Sequence, residues 1–128
     1  MITRDDYFKG RDLTYDNDYT DAIEQNSIVT IRAANQLLIA FGQDRGVNSG
    51  WRPPAINALT AHASPTSLHM TGQAIDIEDE TGELDAWCMA HQKVLEALGL
   101  WLEHPVDTPR WCHVQTIAQH SGNRVFYA

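Results

Sequence analysis

The chain has 128 residues, 43% of them hydrophobic and 20% charged, with a formal net charge of −8 at pH 7. That size and balance describe one soluble globular domain, residues 1–128, able to bury a core without disulfide or metal staples. The acidic balance argues against a nucleic-acid partner, because phosphate contact needs clustered Lys and Arg, and no stretch reaches the ~20 apolar residues of a membrane span.

The first residues, Met-Ile-Thr-Arg-Asp-Asp, contain no apolar run, so no secretory signal is expected and synthesis in the cytoplasm is. A short helical turn is predicted around Asp5 to Phe8. Thr20 then offers an N-cap for a helix to Phe41, with Val29, Ala33, Leu37 and Phe41 every four residues and Ala34 and Leu38 beside them. Gly42 and Gly46 end it. Val47 to Trp51 reads as a short strand, Pro53-Pro54 opens a short helix, and residues 60–66 form a loop.

Next comes Ser67-Leu68-His69-Met70-Thr71-Gly72-Gln73-Ala74-Ile75-Asp76-Ile77. After Gly72 the residues alternate: Ile75 and Ile77 enter the core, while Ala74, Asp76 and Glu78 take the opposite face. Asp79 to Gly82 is a turn. Leu84, Trp87, Cys88, His91, Val94, Leu95 and Leu98 then mark one helix, stopped by Gly99, with His91 and Trp87 in its core-facing stripe. Leu100 to Glu103 is a strand, His104 to Arg110 a connecting loop, and Trp111 to Gln115 a second alternating strand that carries His113 outward. Val125 to Tyr127 adds an edge strand. Cys88 and Cys112 read as buried free thiols. The predicted architecture is α+β, helices packed on a small antiparallel sheet.

If the strands bearing Asp76 and His113 are neighbours, His69, Asp76 and His113 meet. Two imidazoles and a carboxylate with an open fourth position make a usual catalytic zinc set. The spacing alone leaves Mn, Co and Ni open. His62, His104 and His120 fall in loops and are not assigned as ligands.

The pattern Ser67-x-His69-x-x-Gly72-x-Ala74-x-Asp76, followed by an aromatic-rich strand with His113, resembles the zinc D-Ala-D-Ala carboxypeptidase and L-Ala-D-Glu endopeptidase family (peptidase family M15), which includes many phage endolysins. Ser49-Gly50-Trp51-Arg52-Pro53 is similar to the family's Ser-Gly-Tyr-Arg segment, so the resemblance covers roughly residues 47–116. It implies a hedgehog/DD-peptidase-like fold, one Zn2+ on His69, Asp76 and His113, a monomer, and a peptidoglycan peptide as partner. It also implies action at the cell wall, after release or within a virion.

Arg52, held extended before two prolines, reads as a fixed guanidinium that grips a substrate oxygen, and the matching family Arg has that type of role. Ser67 shapes the turn before His69 at the edge of the substrate site. Trp51, Trp101 and Trp111 are candidates to wall the cleft, Trp111 sharing the face of His113. The pattern departs from the family at the general base. Better-known members place Glu three residues before the second His, where this chain has Arg110; others place Asp two residues after it, where this chain has Gln115. Glu103, at a strand end leading toward His113, is the expected replacement, ahead of Glu78 and Asp107. The expected function is therefore a zinc-dependent peptidase that hydrolyses stem peptides, with Glu103 and Arg52 catalytic. The missing Glu and Asp motivate an alternative, a catalytically degenerate module that only binds cell-wall peptide as a virion part. A closed structural zinc site would need a fourth protein ligand.

Overall fold

A computed structural model describes residues 1–128. Its helices are α1 (Arg4–Phe8), α2 (Arg11–Thr14), α3 (Asp21–Phe41), α4 (Pro54–Leu59), α5 (Glu83–Ala90) and α6 (Gln92–Leu98). Its strands are β1 (Val47–Ser49), β2 (Ala74–Glu78), β3 (Trp101–Glu103), β4 (Trp111–Gln115) and β5 (Val125–Phe126), ordered β1-β2-β4-β3-β5 in one sheet. The fold is the expected α+β class. The sheet is mixed rather than antiparallel, because β5 runs parallel to β3 with Leu102 opposite Val125. A strand's direction is not written in its side chains, and the link from Gln115 to Val125 is long enough to carry the chain back along the sheet.

Local chemistry explains the main boundaries. Thr20 caps α3 by accepting from the Ile23 amide, and Gly42 closes it at φ 92, a left-handed conformation that a Cβ disfavours. Ala33, Ala34, Leu37 and Leu38 are buried as the spacing predicts, but Val29 is 55% exposed. Thr30 takes the inward position instead, its hydroxyl donating to the Gly72 carbonyl at 2.8 Å. Burying Thr is tolerated there because the hydroxyl is satisfied.

The single helix expected over 84–98 is two. His91 sits at φ −128, its amide bonds to the Cys88 carbonyl, and its ring Nδ1 pairs with the Trp87 carbonyl at 2.7 Å. That side chain takes the acceptor a continuous helix would have offered to the His91 amide. The ring stacks on Trp87 at 4.1 Å between centroids and is exposed, not core.

The core lies between the helices and one sheet face. Ile75, Ile77, Leu102, Cys112 and Val114 point into it, with Leu37, Leu38, Leu84 and Leu95 from the helices. Cys88 and Cys112 are buried free thiols, as expected. Trp51 is also fully buried in this core, against Phe8 and Tyr19, and so does not wall the cleft. The strand expected over Val47 to Trp51 ends at Ser49 instead. At Gly50 the backbone lies against Tyr7 so closely that any Cβ would overlap the Tyr7 carbonyl, which reserves the position for glycine. No helix is long and apolar enough to cross a membrane.

Candidate metal centre

The site grows from the sheet face opposite the core. In the β2–β4 ladder Asp76 lies directly across from His113, a consequence of pairing two strands whose inward residues alternate with outward ones. His69 arrives from a 3-10 turn over Leu68–Thr71. Ser67 caps that turn, its hydroxyl accepting from the His69 amide at 3.2 Å. Gly72 ends it at φ 78, and the Ile23 carbonyl of α3 lies 2.9 Å from where a Cβ would sit. Three further bonds clamp the turn to the segment after β1. The Arg52 amide donates to the His69 carbonyl at 3.0 Å, the Trp51 indole to the Met70 carbonyl at 2.9 Å, and His69 Nδ1 to the Gly50 carbonyl at 2.8 Å. Burial of Trp51 thus fastens His69.

One potential ligand atom each from His69, Asp76 and His113 lies within 4.8 Å of the others, and all three side chains are largely buried. The surrounding partners fix the imidazoles. With Nδ1–H donating to Gly50, buried His69 turns Nε2 toward Asp76 Oδ1 at 3.2 Å. Burial holds His69 below its usual pKa despite the attraction of Asp76. His113 presents its Nε2–H to Gln115 Oε1 at 2.9 Å, and Gln115 is oriented by donating its own amide to the Ile117 carbonyl at 2.7 Å. That commits His113 Nδ1 to the same Asp76 Oδ1, at 2.8 Å. Burial would lower His113, but the hydrogen bond and charge of Asp76, with Glu103 adding, raise it. Its Nδ1 carries a proton that a cation would displace. Burial works against ionised Asp76 as well, yet His69 and His113 outweigh it and hold the carboxyl well below the usual range.

These residues fit a divalent cation. Two ring nitrogens and a carboxylate oxygen converge, and each imidazole gives its other N–H to an oxygen acceptor, the arrangement that fixes tautomers of metal-ligating histidines. His69 Nε2, 3.2 Å from Asp76 Oδ1, is a contact that a cation would bridge. The centre could therefore hold a metal ion.

The cluster opens into a cavity of about 1220 Å³. Arg52, Ser67, Glu103, Asp107 and Trp111 line it along with the three cluster residues. Glu103 shares the His113 side of the sheet: Leu102 pairs with Val114, so the next step along β3 and β4 brings Glu103 beside His113. Burial raises the Glu103 pKa, and Asp76 and Asp107 add to this against the pull of His113. Glu78 is exposed and does not line the cavity, and neither does Arg110. Asp107 is exposed at the rim and accepts the Ala128 amide at 2.9 Å. Trp101 does not wall the cavity. It lies beneath the Arg124 guanidinium, 4.3 Å from the ring centroid. His104 stacks on Tyr127 outside the cavity, while His62 and His120 stand on its lining.

Sequence reasoning missed Gln115 as the partner of His113, the Gly50 carbonyl as that of His69, and Arg11 on the cavity wall. The alternation of β4 places Gln115 on the His113 face and was the available signal for it. Nothing in the sequence marks a backbone carbonyl 19 residues away from its partner. Compared with protein-family models, curated proteins and solved structures, the chain matches none.

Proposed function

We propose that this protein is a zinc-dependent peptidase acting on peptidoglycan stem peptides, of the kind that its Ser-x-His-x-x-Gly-x-Ala-x-Asp pattern resembles. The observation that carries the reading is the convergence of His69 Nε2, His113 Nδ1 and Asp76 Oδ1 at the wall of an open cavity that also holds Glu103 and Arg52. His69, Asp76 and His113 would hold the ion. Bound there, zinc supplies Lewis acidity, polarising the scissile carbonyl and acidifying water toward a pKa of ~7.

The chain's own residues supply the rest. Gly50 and Gln115 keep both imidazoles turned toward the centre. Glu103, raised by burial, accepts the proton of the attacking water at its carboxylate and returns it to the leaving amine, the task of a general base tuned upward from an ordinary carboxylate. Arg52 donates to Ser67 Oγ at 3.1 Å, which leaves further guanidinium N–H groups for a substrate oxygen. Trp111 offers an apolar wall for a peptide side chain.

The test is release of new amino groups from purified peptidoglycan of several chemotypes, with metal content measured on the same samples. The proposal expects about one equivalent of zinc, cleavage by the wild type, and loss of both in His69→Ala and His113→Ala. Zinc retained by both variants would remove this centre. A zinc-loaded wild type that binds peptidoglycan without cleaving it would establish the binding module instead, the reading motivated by Arg110 and Gln115 in the family's acidic positions.

A further inference from the structure

We propose that Arg11 and Arg52 form a two-arginine subsite for a free carboxylate on the substrate, with Arg11 as a specificity-determining residue; this rests on the peptidase reading above. The first observation is an imbalance. The chain has 17 acidic residues against nine Lys and Arg, yet of its seven arginines only two have an acidic partner. Arg4 pairs with Asp12 and Glu24, and Arg45 with Glu83. Arg11 and Arg52 both line the cavity, and neither has a carboxylate within salt-bridge distance.

The second observation is burial. Arg52 is 9% exposed, and its Nε is out of water with no hydrogen-bond partner. A desolvated guanidinium without a counter-charge is costly. Burial lowers the pKa of Arg52 and Arg11 lowers it further, against the opposing pull of Asp76.

The third observation is how Arg11 is held. It follows Gly10 at the start of α2 and donates from Nη1 to the Trp51 carbonyl at 3.0 Å. The acceptor belongs to the residue just before Arg52. The N-terminal segment thereby brings a second guanidinium to the cavity wall that Arg52 lines. Two like charges on one cavity wall repel in the free protein, and an entering anion relieves both the repulsion and the desolvation. The planar forks of arginine suit a carboxylate. A stem peptide carries two such groups, the C-terminal carboxylate and the α-carboxylate of γ-linked D-Glu.

The experiment uses the peptide L-Ala-γ-D-Glu-L-Lys-D-Ala-D-Ala, its C-terminal amide, and its form with D-Glu replaced by D-isoglutamine. Kd is read by NMR titration of the zinc-loaded protein at low temperature, and cleavage by amino-group release in parallel. One of the two amidated peptides is expected to bind roughly 10- to 100-fold more weakly than the parent, the range for hydrogen bonds to charged groups, and that peptide identifies the carboxylate. Arg11→Gln should bring the parent down to the level of that amide while leaving the amide itself unchanged, and Arg11→Lys should recover part of the difference. A purely structural role through the Trp51 contact would weaken all three peptides alike, so a parent-to-amide ratio unchanged in Arg11→Gln overturns the subsite. Cleavage with no carboxylate preference also overturns it and leaves the peptidase standing. A carboxylate preference that depends on Arg11, without cleavage, supports the subsite and overturns the peptidase.

Discussion

Asp76 Oδ1 faces both imidazoles, and what suits the cluster to a cation is the other nitrogen of each ring. His113 depends on Gln115, which depends in turn on the Ile117 carbonyl. Replacing Gln115 with Leu frees the ring to turn or to exchange tautomers. Zinc affinity is expected to fall roughly 10- to 100-fold, as when such supporting partners are lost elsewhere, with fold intact by circular dichroism; competition with a chromophoric chelator measures it. The position where the family it resembles carries Asp thus has a use, though not as a base. Under the proposed peptidase reading that role falls to Glu103. Glu103→Gln removes the charge with little change of shape, so zinc and melting temperature should hold while peptidoglycan cleavage falls by roughly 10²–10⁴-fold, the worth of general acid–base assistance. Glu78→Gln, outside the cavity, and Asp107→Asn, at its exposed rim, should stay near wild type in the same assay. An inactive Asp107→Asn beside an active Glu103→Gln would reassign the base.

The elements differ in how far the sequence discloses them, for identifiable reasons. The caps of α3 and the alternation of β2 and β4 are local signals, and from them the Asp76–His113 register follows. Trp51 and Val29 depart from expectation because each depends on a partner far away: Tyr7 packs against Gly50 where β1 ends, and Gly72 accepts the Thr30 hydroxyl. The break at His91 and the direction of β5 are likewise tertiary. Helix α5 adds a further case, since the sequence reading assigned Asp85 no role. The Asp79 carboxylate caps the helix by accepting from the Leu84 and Asp85 amides. Asp85 itself is buried, accepts from the Thr108 hydroxyl at 3.2 Å, and leaves Oδ1 unpartnered. Burial pushes its pKa up to about 6, opposed by hydrogen bonds from Cys112 and Thr108. A folded-state pKa above the ordinary 3.8 means that the native state binds the proton more tightly. The stability Asp85 contributes is full below the ordinary value and is lost as pH rises through about 6. Asp85→Asn cannot titrate, so its stability relative to metal-free wild type should climb between pH 4 and pH 7 by on the order of 1–3 kcal/mol. Urea melts of both proteins across that window measure it, and a flat difference would sink the argument.

At the scale of the whole molecule, the core and the candidate metal centre occupy opposite faces of one sheet. The core contains 18 buried hydrophobic residues, none of them a ligand. The centre touches that core through Trp51, the strand backbones and the Gly50 carbonyl, contacts that do not require a cation. Without metal, His113, its pKa raised, still faces Asp76 at 2.8 Å, so the Asp76 carboxylate keeps a partner. Folding should therefore survive metal removal, unlike that of small domains built around structural zinc. The metal should still stabilise by preferential binding to the native state, about 2.7 kcal/mol when free zinc is a hundredfold above Kd. For a chain of this length that corresponds to a rise in Tm on the order of 10 °C. Calorimetry with chelator, and then with zinc restored in steps, should show one cooperative transition throughout, moving upward with zinc. The increment should vanish in His69→Ala, whose own transition should resemble that of metal-free wild type. Complete unfolding by chelator at room temperature would mean that the ion holds the fold rather than serving the cavity, and would favour a structural zinc protein over an enzyme.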